Sequence, residues 1–146
     1  MKTSRSFVLS LALIAATVVA GLTIRFVPLG LPPSVVKYGG SMLWALMIYW
    51  LLSTLFRRRQ VLLIALIAAV VATAVEFFKL YHSPAMDAFR LTVPGVLLLG
   101  RIFSAWDILA YWLAIAIGAG IDRWITQQKV HHAAANPQSS SRYHSN

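Results

Sequence analysis

With 13 lysines and arginines against 4 acids and 59% hydrophobic residues among 146, at a mean hydropathy of +0.72, the chain is too apolar for a soluble domain. Its net charge of +9 does not point to nucleic acid, because the bases are scattered between apolar runs instead of lining one soluble face. Having no cysteine excludes a disulfide framework, a thiolate metal site and thiol redox chemistry.

What remains is an all-α integral membrane protein, a four-helix bundle built as one domain over residues 1–127, followed by a polar tail over 128–146. The first apolar run, Phe7 to Ile24, follows Lys2 and Arg5. Its length suits a span of about 17–25 residues better than the apolar core of a leader, about 7–15 residues, so a retained helix is expected. The rival reading is a signal peptide cleaved at Val18-Val19-Ala20, which would not reverse the helices downstream.

Arg25 to Ser34, RFVPLGLPPS, cannot continue a helix and is read as a connector. Ser34 then caps a second helix over 35–56, with Lys37, Ser41, Trp44 and Ile48 on one side and Lys37 near the membrane surface. Arg57-Arg58-Arg59-Gln60 is a connector short enough to demand antiparallel neighbours, and its three arginines place it in the cytoplasm. The loop reads first as a topology determinant, with an anionic-lipid contact as the weaker reading. Both termini then face the cytoplasm of the inner membrane, together with Asp122, Arg123, Lys129 and Arg142. Arg25, Lys37, Glu76, Lys79, Asp87, Arg90, Arg101 and Asp107 fall outside. Tyr49, Trp50, Phe56 and Trp124 mark the inner interface, and Tyr38, Phe77, Phe78, Tyr81, Phe103 and Trp106 the outer one.

The third helix, 61–78, carries Ala65, Ala69, Ala72 and Glu76 on one stripe, which turns the carboxylate into the bundle and away from lipid. After it comes a structured extracytoplasmic connector, Lys79 to Ile102. Ser83-Pro84 caps a short helix through Arg90, and Val93 to Gly100 is apolar but too short to cross. The fourth helix, 103–124, aligns Asp107, Tyr111, Ala114 and Gly118, with Ala116/Gly120 as a second small-residue pair. Beyond Gln127 the tail is polar and expected to be disordered.

Glu76 and Asp107 close the facing ends of two helices at one depth, and buried acids in a bilayer need partners. The expected cluster is Glu76, Asp107 and Arg101 with Lys37, Tyr111 one turn deeper, and Arg90 arriving from the connector. Such a cluster either docks the connector structurally or binds a lipid headgroup or amphiphile. Lys79 reads as a local ion pair or a snorkelling cation. An acid/base role for Glu76 and Asp107 is the weaker reading, because carboxylates beside cations suit a clamp. His82 with Glu76 or Asp87 lacks standard ligand spacing, and His131-His132 lies in the tail, so neither metal nor cofactor is expected.

The combination Lys37-Tyr38-x-Gly40-x-x-Leu43-Trp44-Ala45, Glu76-x-x-x-Leu80-Tyr81, Arg90-x-Thr92 and Leu99-Gly100-x-x-Phe103-x-x-Trp106-Asp107-x-x-x-Tyr111 resembles the DUF2809 family, small bacterial membrane proteins of unknown function. Relative to that family's pattern this chain departs at Lys79, where glutamine is usual, and at Ser41, where aspartate is. A more distant resemblance, Gly100-Arg101-Ile102-Phe103 leading to Asp107, is to the VanZ-like family associated with glycopeptide-antibiotic resistance. Tyr111 stands there in the position of an asparagine. That likeness implies a cell-envelope role at the outer leaflet, with Glu76, Arg101 and Asp107 as the transferable positions. The expected protein is thus non-enzymatic, with membrane lipid as partner and no nucleic acid. A scaffold or subunit of a membrane complex, with a second copy or another membrane protein as partner, is the alternative.

Overall fold

A computed structural model of the chain describes residues 6–56, 60–100 and 102–135. Four long helices dominate them: α1 (Phe7–Phe26), α2 (Pro33–Leu55), α3 (Val61–Phe78) and α6 (Ala105–Ala135). Two short ones, α4 (Pro84–Arg90) and α5 (Val93–Leu98), lie between α3 and α6. Each long helix contains a stretch long and apolar enough to cross a membrane, the last over Ala105–Gln128. This is the structure that apolar runs must adopt where no water satisfies the backbone, since a helix bonds every peptide group internally.

Several boundaries differ from the sequence reading: α1 runs through Phe26, so Arg25 and Phe26 are helical and not part of the connector, and α2 ends at Leu55. α2 begins at Pro33, so Ser34 is helical and the cap position falls to Pro32, with no side-chain cap bond. Proline suits a first helical position, where its missing N–H has no partner to lose. α6 begins at Ala105 instead of Phe103 and runs through Ala135, beyond both Trp124 and the start of the expected tail. From Ile125 to Ala135 there is neither glycine nor proline, and the run ends in three alanines, the strongest helix former. The rest of the expected tail, from 136 onward, lies outside the described residues.

α2 is the hub of the bundle, packing on α1, α3 and α6, while α6 also packs on α3. Ala45, Tyr49, Trp50, Ile64, Ala68, Ala72, Tyr111, Ala114 and Ile115 form the core. On α3 the innermost stripe is Ile64-Ala68-Ala72-Glu76, so Ala65 and Ala69 flank it instead of leading it. On α6 the anticipated stripe of Asp107, Tyr111, Ala114 and Gly118 is buried throughout. A Cβ at Gly118 would lie 2.8 Å from Leu46 Cδ1 and 2.9 Å from Tyr49 Cδ1, which marks the closest approach of α2 and α6. Ala116 and Gly120, by contrast, face outward. Tyr49 and Trp50 are core residues, 0% and 1% exposed, and not members of an interfacial belt. Phe77, Phe78, Tyr81, Trp106 and Trp124 are exposed, as aromatic belts require.

The connector is ordered by its own caps. Ser83 Oγ accepts from the Met86 N–H at 3.3 Å and opens α4 behind Pro84, as its sequence anticipates. Thr92 Oγ accepts from the Gly95 N–H at 3.2 Å and donates to the Phe89 carbonyl at 2.7 Å, which joins α4 to α5.

Candidate functional site

Glu76 ends the buried stripe of α3 and is 0% exposed. A carboxylate so placed must be fully hydrogen-bonded or destabilise the fold. Three donors meet it: the Ser104 N–H at 2.7 Å, the Tyr111 hydroxyl at 2.7 Å and the Lys79 ammonium at 2.5 Å. They come from the approach to α6, from α6 itself and from the end of α3. Lys79 Nζ also lies 3.9 Å from Asp107 Oδ2, so one ammonium stands between two carboxylates. Trp44 of α2 packs on Tyr111 with ring centroids 5.4 Å apart, and Ser41 lies within hydrogen-bonding reach of Asp107 and Tyr111.

The cation at the centre is therefore Lys79, 7% exposed, and not a solvated helix-end lysine. Its i,i+3 spacing from Glu76 was the available signal. What turns it inward is Gly100, whose φ of +67° a side-chain-bearing residue rarely adopts. A Cβ at Gly100 would sit 3.0 Å from Lys79 Cε and 3.2 Å from Nζ, so the bare glycine leaves room for the ammonium. Arg101, the cation expected here, lies outside the described residues, as does the triarginine loop.

Arg90 has a different task. It is 3% exposed and donates to the carbonyls of Tyr81 at 2.9 Å and Phe78 at 2.8 Å, and to Asp87 at 3.3 Å. Those carbonyls lie at the end of α3 and in the turn just after it, so Arg90 fastens the connector to that end and stands apart from the carboxylate pair. Arg90→Lys is expected to lower stability by about 1–2 kcal/mol, because one ammonium cannot reproduce the planar fork spanning both carbonyls. A melting curve in detergent checks it. His82 contacts Asp87 at 3.1 Å on the exposed side of this clamp, not Glu76.

Above the cluster opens a cavity of about 730 Å³, well within the size range of small-molecule pockets. α1 contributes Gly21 and Leu22, α2 contributes Gly40 and Trp44, and the connector contributes its apolar run from Val96 to Leu99. Lys79, Asp107 and Tyr111 line its polar end, and Lys37 and Arg25 also border it. Glu76 is not among the lining residues: it holds Lys79 and Tyr111 from behind. Arg25 and the α1 wall were not legible as parts of a site, because hydropathy does not say which helices are neighbours. Lys37 is exposed and rests 5.2 Å from the Tyr38 ring centre, without an ion pair to Asp107.

A third buried acid escaped the sequence reading. Asp122, 5% exposed, accepts from the Tyr49 hydroxyl at 3.0 Å and the Ser53 hydroxyl at 2.8 Å. The rise of a helix separates it from Asp107 by about 22 Å along α6. It continues the Tyr111, Ala114, Gly118 stripe, and that continuation was the signal.

Fold and site together define a small polytopic helical protein of membrane type, with an ion-paired cluster at one end of its bundle. Residues 31–115 match the family described as a protein of unknown function, DUF2809, and the chain belongs to that family. No solved structure matches it. The matched region takes in α2, α3, the connector and the start of α6, and so contains every residue of the cluster.

Proposed function

We propose that the chain is a non-enzymatic protein of the bacterial inner membrane that binds a lipid or other amphiphile in the cavity between α1, α2 and the connector. The observation that carries this reading is the cavity's polarity: ionic at Lys79 and Asp107, bordered by Lys37 and Arg25, and walled by the apolar run from Val96 to Leu99, which suits a headgroup joined to a hydrocarbon chain. Intramembrane ionisable residues mark functional sites by default. Binding is favoured over catalysis because Glu76 is engaged by three donors and set back from the cavity. The positive-inside rule places the cluster at the outer leaflet with both termini cytoplasmic, and the distant VanZ-like resemblance agrees with an envelope role. Retention of α1 belongs to the same proposal, since α1 forms one wall.

The test is to fill the cavity. A Cβ at Gly40 meets nothing within 4 Å, so Gly40→Phe can project into the cavity without displacing backbone. The expected result is loss of co-purifying lipid in native mass spectrometry with an unchanged helical spectrum. Lipid retained at wild-type levels would count against the site. A subunit role, in which the cluster only docks the connector, is favoured by the outward-facing Ala116 and Gly120 on α6, where another helix could approach closely.

A further inference from the structure

Arg25 lies in the last turn of α1 and Lys37 in the second turn of α2, and both are exposed on the wall of the cavity. Two close approaches fix the register of these antiparallel helices. A Cβ at Gly21 would lie 3.8 Å from Leu43 Cβ, and one at Gly39 would lie 3.8 Å from Ile24 Cδ1. That register sets Arg25 and Lys37 at one level, within about one turn along the helix axes. Two like charges from separate helices thus border one space, an arrangement that costs energy until an anion enters between them.

No acidic side chain supplies that anion. The chain's four acids all lie among the described residues, and none forms an ion pair with Arg25 or Lys37. Glu76 is taken by Lys79, Tyr111 and Ser104 behind the cavity wall. Asp107 stands between Lys79 and Ser41, within reach of the Lys37 charge. Asp87 is held by Arg90 and His82 away from the cavity, and Asp122 accepts from Tyr49 and Ser53 farther along α6. Even with Glu76 set against Lys79 and Asp107 against Lys37, Arg25 is left over. The balance around the cavity is therefore positive, and Arg101, outside the described residues, carries the same sign.

From this excess we infer that the amphiphile is an anionic phospholipid, its phosphate held between Arg25 and Lys37 where α1 ends and α2 begins. The inference rests on the amphiphile-binding reading and names the headgroup chemistry. A phosphate suits the pair because the guanidinium fork engages two of its oxygens and leaves the others for the ammonium. A zwitterionic headgroup brings the same phosphate together with a cation of its own, which the positive excess opposes. From Lys37 the cavity continues along α2 past Leu43 to Met47, about 15 Å by helical rise, and this length takes up much of an acyl chain. A lipid is accordingly favoured over free phosphate.

The experiment offers the full chain, in detergent, phosphatidylglycerol and phosphatidylcholine with identical acyl chains, read by native mass spectrometry. Wild type is expected to prefer phosphatidylglycerol by about tenfold, the scale that two cations beside an anionic headgroup supply. The double variant Arg25→Gln/Lys37→Gln, with both side chains exposed and its helical spectrum unchanged, is expected to bring the two lipids within about twofold. Equal binding of both lipids by wild type overturns the inference, and so does a preference that the double variant keeps, which assigns it to other cations. The wild-type ratio needs no variant to fold. Inorganic phosphate is expected not to displace bound phosphatidylglycerol; displacement would mean that the free anion is the ligand and overturns the lipid assignment. Gly40→Phe separates the two levels: if it abolishes binding of lipids that wild type does not discriminate, the cavity stands and the headgroup assignment falls. If it leaves all binding intact, the cavity reading falls as well.

Discussion

Glu76→Ala is expected to cost the fold about 3–5 kcal/mol, the largest effect of any single side-chain truncation in the bundle. The carboxylate receives the Ser104 N–H, the Tyr111 hydroxyl and the Lys79 ammonium, and an alanine leaves all three without an acceptor. Lys79 is 7% exposed, so its charge stays largely buried with, among the described residues, only Asp107, 3.9 Å away, to balance it. Glu76→Gln should behave differently. Its amide oxygen can still accept from Ser104 or Tyr111, and Lys79 is free to close on Asp107, so about 1.5 kcal/mol or less is expected. Unfolding in mixed micelles measures both. Equal and small losses for the two variants would show that the carboxylate does not anchor the helix ends.

Gly95→Ala is the second large effect, at about 3 kcal/mol. A Cβ there would sit 1.9 Å from the Phe89 carbonyl oxygen, 2.7 Å from its carbon and 3.0 Å from Arg90 Cα. All three are backbone atoms and cannot rotate away, so α5 must lift off α4. Arg90, at the end of α4, would then lose its hold on Phe78 and Tyr81. The expected readout is a lower melting temperature together with new protease cleavage between α3 and α6. Gly40→Ala is the control: its Cβ meets nothing within 4 Å in the middle of a helix, so the same substitution there should be neutral or stabilise by about 0.5–1 kcal/mol. Matching losses at the two glycines would mean that close approach is not what requires Gly95.

The four spans were readable because apolar length and proline-rich or arginine-rich connectors are local properties. The inward turn of Glu76 was readable because a carboxylate on a small-residue stripe has no other tolerable direction. Asp107 and Tyr111 followed from helical spacing on one stripe. The cation was harder. Lys79 at a helix end looks the same whether it snorkels to water or folds back, and the difference is made by Gly100, far along the chain, whose missing side chain leaves it room. Arg90 was expected in the cluster, but its partners are Asp87 and two backbone carbonyls, and the carbonyls leave no mark in a sequence. Tyr49 and Trp50 misled for a related reason: an aromatic pair near a helix end reads as an interfacial belt, whereas here α6 crosses close by at Gly118 and covers them. Asp122 was counted only as a charge on one side, although its register with Gly118 already placed it inside.

The central claim is that Lys79 is held energetically by Glu76, as the keystone beneath the cavity. A double-mutant cycle on Glu76→Gln and Lys79→Met, followed by unfolding in mixed micelles, tests it most directly. Lys79→Met should be strongly destabilising beside Glu76, where it strands two carboxylates. It should be markedly milder beside Gln, giving a coupling of about 2 kcal/mol. Losses that simply add, to within about 0.5 kcal/mol, would show that the two side chains are neighbours without being partners and would contradict the account.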